Sequence, residues 1–158
     1  MARVLVLYFT RTGNTKAMAE SVANGAEQEG AETVLKDVEE ANPEEMLDYD
    51  AIIAGSPTYY GGMAGKLKDF FDFSVSHHGK LSGKIGGAFT SSANIGGGNE
   101  TTVMNIIHAM LIHGMIVQGT AEGDHYGPVS IDAPDDRVNS QCEALGRRVA
   151  SLAKKLFD

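Results

Sequence analysis

The sequence predicts an α/β domain: a five-stranded parallel sheet in strand order 2-1-3-4-5, with helices on both faces. Three observations predict it. Short apolar runs alternate with helical stripes along the whole chain. The first run, Leu5 to Phe9, is apolar at every position, as suits a strand buried on both faces. Right-handed crossovers then leave few orders for five such strands, of which 2-1-3-4-5 is common at this length. No repeat, linker or low-complexity segment divides the chain, so residues 1–158 read as one domain.

The elements follow in order. After the first strand comes the polar turn Thr10-Arg11-Thr12-Gly13-Asn14-Thr15. Met18, Val22 and Ala26 recur at four-residue spacing and mark a helix that ends near Gly30. Thr33-Val34-Leu35 is a second strand, followed by an acidic connection through Asn42-Pro43. Asp50 to Gly55 is the third strand, stopped by Ser56-Pro57, and Leu67, Phe70, Phe71 and Val75 stripe the next helix. Lys84 to Thr90 gives a fourth strand, and Ser91 to Gly98 a glycine-rich loop. Thr101 to His113 is helical, Gly114 to Gln118 is the fifth strand, and Val138, Cys142, Leu145, Val149, Leu152 and Leu156 stripe a terminal helix.

Composition narrows the function. With 42% hydrophobic and 22% charged residues the chain is ordinary globular protein. Its single cysteine excludes an internal disulfide framework, and no apolar stretch reaches the ~18 residues of a membrane span. A net charge of -8 opposes binding to nucleic acid or an anionic membrane. These features predict a soluble, cytoplasmic protein. Cys142 falls on an apolar stripe and Ser56 lacks a G-x-S-x-G elbow, so neither reads as a nucleophile.

In sheets of this order a ligand sits at the carboxyl ends of the strands, beside the reversal of strand order. Three loops emerge there, residues 10–15, 56–63 and 91–98. The first leads into a helix N-terminus, where free amides and the helix dipole favour an anion. Thr10, Thr12, Thr15 and Asn14 add donors, and the turn lacks both the P-loop and the G-x-G-x-x-G glycines. In the second, Tyr59 and Tyr60 offer one ring to pack inward and one to stack on a flat ligand. The third, Ser91-Ser92-Ala93-Asn94-Ile95-Gly96-Gly97-Gly98, offers backbone donors to a carbonyl edge. A phosphate pocket, a stacking wall and a polar edge together suit FMN.

These segments resemble the flavodoxin-like FMN proteins, within them the WrbA-type NAD(P)H:quinone oxidoreductases. Thr10 to Thr15 is similar to the flavodoxin phosphate loop, and Gly55-Ser56-Pro57-Thr58-Tyr59-Tyr60-Gly61-Gly62-Met63 to the WrbA-type loop over the flavin ring. Phe89 to Ser92, Gly96 to Gly98, Glu100 to Thr102, His113-Gly114-Met115 and Tyr126-Gly127-Pro128 carry the rest of the likeness. The resemblance implies a flavodoxin-like three-layer sandwich that passes electrons from NAD(P)H through FMN to a quinone-like acceptor. It implies that Thr10, Arg11, Thr12, Gly13, Asn14 and Thr15 hold the phosphate. Pro57, Thr58, Tyr59, Tyr60 and Gly61, with Ser91, Ser92, Ala93, Asn94, Ile95, Gly96 and Gly97, would hold the ring.

The same resemblance brings His113 to the flavin, from its own chain or from a neighbouring subunit. The residue types alone read it as a cap at a helix C-terminus. The resemblance also implies a homo-oligomer, a dimer or a tetramer. This chain departs from the family pattern in its short connection at residues 38–48 and in the abbreviated stretch Ala121 to Tyr126. His77-His78 stand near a place where the family has a tryptophan, and they lack a further metal ligand at a suitable spacing. The rival reading is a one-electron carrier like flavodoxin itself, docking redox partners through an acidic face.

Overall fold

The computed structural model describes residues 1–158. Strands β1 (Arg3–Tyr8), β2 (Glu32–Asp37), β3 (Ala51–Tyr59), β4 (Gly62–Met63), β5 (Ile85–Ser92), β6 (Ile116–Val117) and β7 (Val129–Ile131) alternate with helices α1 (Asn14–Gln28), α2 (Gly65–Phe73), α3 (Asn99–Ile112) and α4 (Asp136–Phe157). The parallel strands lie in the order β2-β1-β3-β5-β6, which is 2-1-3-4-5 when the five main strands are counted. This is the flavodoxin-like arrangement the sequence predicts.

Alternation along the inner strands builds the two cores, because successive side chains leave a strand on opposite faces. Val4, Val6, Ile53 and Phe89 pack with Met18 and Val22 of α1 and with Val138, Cys142, Leu145 and Val149 of α4. Leu5, Leu7, Ile52 and Ala88 pack on the other side with Leu67, Phe70 and Phe71 of α2 and with Val103, Ile106 and Met110 of α3. Uniform apolarity in β1 is thus the signature of a sheet with a core on each face.

Three boundaries differ from the sequence reading, and each difference shapes the ligand-binding end. The third strand does not stop at Ser56-Pro57 but continues to Tyr59 and turns back as β4, pairing Thr58 with Met63 and Tyr59 with Gly62. Pro57 is tolerated because it lies where the parallel strand ends and the hairpin begins. Ser91 and Ser92 belong to β5 rather than to the loop after it, since Ser91 pairs with Pro57 on one side and with Ser130 on the other. The fifth strand is split. Ile116–Val117 pairs with the start of β5 and Val129–Ile131 with its end, and residues 118–128 make an excursion between them. Arg137 pins that excursion, donating to Asp124 at 3.1 Å and to the Val129 carbonyl at 3.2 Å.

Candidate functional site

At the end of β1 the chain makes its first loop around one hydroxyl. Thr10 Oγ1 accepts from the amides of Gly13 at 3.1 Å and Lys16 at 3.4 Å, which folds residues 10–13 into the start of α1. Gly13 is the N-cap and brings no side chain to it. The amides of Thr12, Asn14 and Thr15 consequently donate to nothing within the chain. Unpaired amides at the positive end of a helix dipole form an anion site. Thr12 stands exposed beside it, whereas Thr15 is buried and its hydroxyl meets Ser91 Oγ at 2.9 Å. That bond ties the first loop to the third.

The second loop is the turn of the β3–β4 hairpin. Tyr60 at φ 49° and Gly61 at φ 78° form a two-residue turn with both central residues left-handed, the geometry that matches strand twist. An L-residue held there costs about 1–2 kcal/mol. Tyr60 is fully exposed and its neighbour Tyr59 half-buried, so the pair divides as one outward and one partly inward ring. The strain is held by contacts outside the turn. Thr101 Oγ1 meets the Gly61 carbonyl at 2.8 Å, and Asn105 Oδ1 accepts from the Met63 amide at 3.1 Å. Thr90 Oγ1 donates to the Ser56 carbonyl at 2.6 Å, so in the 2.9 Å contact between Thr58 and Thr90 it is Thr58 that donates.

The third loop closes against the second. Gly98, the N-cap of α3, lies so close to the turn that a Cβ there would stand 2.6 Å from Gly61 Cα. Ser92 Oγ accepts from Asn99 Nδ2 at 2.7 Å and donates to the Asn94 carbonyl at 3.1 Å. Ala93, Asn94, Ile95 and Gly96 are exposed, Gly97 half-buried, and the amides of residues 94–97 donate to nothing within the chain. The fold therefore brings together the expected residues at 10–15, 57–61 and 91–97. It adds Thr101 and Asn105, whose role depends on long-range contacts that no local pattern announces.

Comparison with known proteins decides the family. A flavodoxin domain model matches residues 5–108, about two-thirds of the chain. The chain belongs to the flavodoxin family. An NAD(P)H dehydrogenase (quinone) of Archaeoglobus fulgidus is 36% identical over 190 residues, covering 99% of this chain and 100% of the relative. A flavodoxin of Aquifex aeolicus is 44% identical over 167 residues, covering 100% and 90%. The structure of a WrbA-like flavodoxin from Agrobacterium tumefaciens superposes with a TM-score of 0.83 at 28% identity, covering 98% of this chain and 99% of that one.

Membership implies FMN, and the residues present fit it. The amides and hydroxyl at Thr12 and Asn14 suit a phosphate, the exposed Tyr60 ring suits a flat aromatic face, and the free amides of residues 94–97 suit carbonyl oxygens. Gly13, Gly61 and Gly96 leave open space around them, with no atom within 4 Å of where a Cβ would stand.

His113 is the one expected flavin residue that this flavodoxin fold does not bring to the loops. It caps the C-terminal end of α3, whose 14 residues put it ~20 Å along the axis from the end that meets the loops. Ser74 Oγ donates to the Phe71 carbonyl at 2.6 Å, so it accepts from His113 Nε2 at 2.7 Å. This places a proton on Nε2, and Nδ1 is buried without a partner. Burial, and after it the neighbouring His78 and His77, hold the His113 pKa below the ordinary histidine value. Cys142 is fully buried, its thiol pushed up to about 12 by burial, which suits a core residue and not a nucleophile.

Proposed function

We propose that the protein is an FMN-dependent oxidoreductase that passes two electrons from NADH or NADPH to a quinone-like acceptor. The carrying observation is the bare clasp around Tyr60. This exposed ring is followed by Gly61 and Gly62, and Gly98 of the third loop lies directly against the Gly61 backbone, so where the two loops meet the chain presents glycine backbone rather than side chains. A planar donor and then a planar acceptor need such an open face to reach a flat cofactor. The relatives called NAD(P)H dehydrogenase (quinone), at 36% and 39% identity across 99% and 100% of this chain, support the same reading.

When bound, FMN supplies the hydride and electron chemistry. The chain's own residues bind and orient. Thr12, Asn14 and the start of α1 hold the phosphate, and Pro57 to Gly61 hold the ring. The amides of residues 94–97 offset negative charge at its polar edge. No protein side chain is required to move a proton. A homo-oligomer, dimer or tetramer, belongs to this reading and is supported by Phe73, Val75, Leu111 and Ile112, all more than half exposed around the end of α3 that carries His113. A cytoplasmic location, with the reduced nicotinamide pool, belongs to it as well.

A specific observation favours a second reading, the electron carrier. The alignment to the Aquifex flavodoxin spans 167 residues, little more than the chain itself, whereas that to the Archaeoglobus dehydrogenase spans 190 and includes segments this chain lacks. One experiment separates the two. FMN-loaded protein is mixed anaerobically with NADH or NADPH while the flavin's visible absorption is followed. Rapid bleaching reversed by benzoquinone is the expected outcome. Flavin that stays oxidised with both nicotinamides, yet is reduced by dithionite in two separate one-electron stages, leaves the carrier standing. Failure to bind FMN removes both.

A further inference from the structure

Between the first and second loops, a groove of about 390 Å³ runs along Phe9 and Tyr59. That volume falls within the ~300–1,000 Å³ of small-molecule sites. Arg11 and Lys66 stand over it, with Asp69 the only acid among its walls. Arg11 forms no hydrogen bond or ion pair with any other residue, and nothing in the fold requires it, while Lys66 meets Glu39 at 3.2 Å on the exposed side. With Lys66 already paired to Glu39, Arg11 is the uncommitted cation of this lining, in a chain whose net charge is -8. The groove shares Arg11 with the phosphate loop and Tyr59 with the hairpin, so an occupant would lie alongside the flavin site.

Resting on the oxidoreductase reading, we infer that this groove takes the adenosine half of the nicotinamide donor, with Arg11 and Lys66 on its 2′-phosphate, so that NADPH is preferred to NADH. The two aromatic walls suit a purine, which stacks on such faces. The cations suit a doubly charged phosphate monoester, to which arginine donates in pairs and lysine as a point charge. NADH brings only a neutral ribose to the same place. Because both cations are exposed, each contact adds a modest factor, and the preference is roughly three- to tenfold at low salt.

The test is calorimetric titration of FMN-loaded protein with adenosine 2′,5′-bisphosphate and with 5′-ADP, the flavin already filling the phosphate loop. The bisphosphate is expected to bind three- to tenfold tighter, and Lys66→Gln and Arg11→Gln are each expected to narrow that gap, with FMN content checked in every sample. Equal affinity for the two nucleotides overturns the assignment, as does a gap that neither variant narrows. Inorganic phosphate displacing the bisphosphate at equal concentration also overturns it, because the site is then a bare anion site without adenosine recognition. The reading beneath it fails differently. Flavin that neither nicotinamide reduces removes the oxidoreductase, whatever the groove binds.

Discussion

Replacing Gly98 with alanine tests whether the second and third loops form one clasp. Gly98 sits at φ 105°, where an L-residue is strained by about 1–2 kcal/mol. Its Cβ would also stand 2.6 Å from Gly61 Cα and 3.1 Å from Thr101 Oγ1. The first of these is backbone of a turn already strained at Tyr60, so relief requires the hairpin to move. Overpacking of this kind typically adds ~1–3 kcal/mol. At ~2–4 °C per kcal/mol for a chain of this size, Gly98→Ala should lower the melting temperature of the flavin-free protein by about 4–20 °C. Gly96→Ala is the control. It too has positive φ, 73°, but no atom lies within 4 Å of its Cβ, so only the strain of about 1–2 kcal/mol applies. Thermal unfolding and FMN titration of both variants give the comparison, with Gly98→Ala the worse in each. Equal losses in the two would refute the clasp, because the contact with Gly61 would then contribute nothing.

Two further expectations follow from buried polar contacts. Thr15→Val strands the Ser91 hydroxyl and should cost ~1–3 kcal/mol in urea unfolding, and adding Ser91→Ala should recover part of the loss; strictly additive losses would show that the 2.9 Å bond is not made. His113 binds fewer protons folded than unfolded, because burial and its histidine neighbours lower its folded pKa. Stability should therefore decline as pH falls below the ordinary histidine value of ~6.5, and keep declining until the depressed folded pKa is reached. In His113→Gln, urea unfolding between pH 7.5 and 5.5 should show a shallower decline, and an unchanged slope would rule out His113 as its source.

What was legible in the sequence divides by the range of the interactions involved. The succession of strands and helices along the chain follows from patterns within ten residues or so, and β1, with its unbroken apolar run, declares a sheet covered on both sides before any contact is known. The extent of β3 does not, because Ser56-Pro57 is a strong local stop. It is overruled by pairing with β5 on one side and by the β4 hairpin beyond. The split fifth strand is hidden for the same reason. Val129–Ile131 is only three residues long and has strand geometry because Thr90, Ser91 and Ser92 are there to pair with it.

The site shows the same division at the level of single side chains. Thr10, Thr12 and Thr15 look alike in sequence, three hydroxyls in one polar turn. The fold gives them separate work: Thr10 shapes the loop, Thr12 remains open at the anion site, and Thr15 turns inward to Ser91. His113 makes the opposite point. Resemblance associates it with the flavin, yet Nε2 is committed to Ser74 at the far end of α3 from the loops. Within one subunit that distance removes it from the chemistry, since the axis of a rigid helix does not shorten. Any contact between this histidine and a flavin therefore requires a second copy of the chain. The exposed Phe73, Val75, Leu111 and Ile112 around it are what such a copy would have to cover.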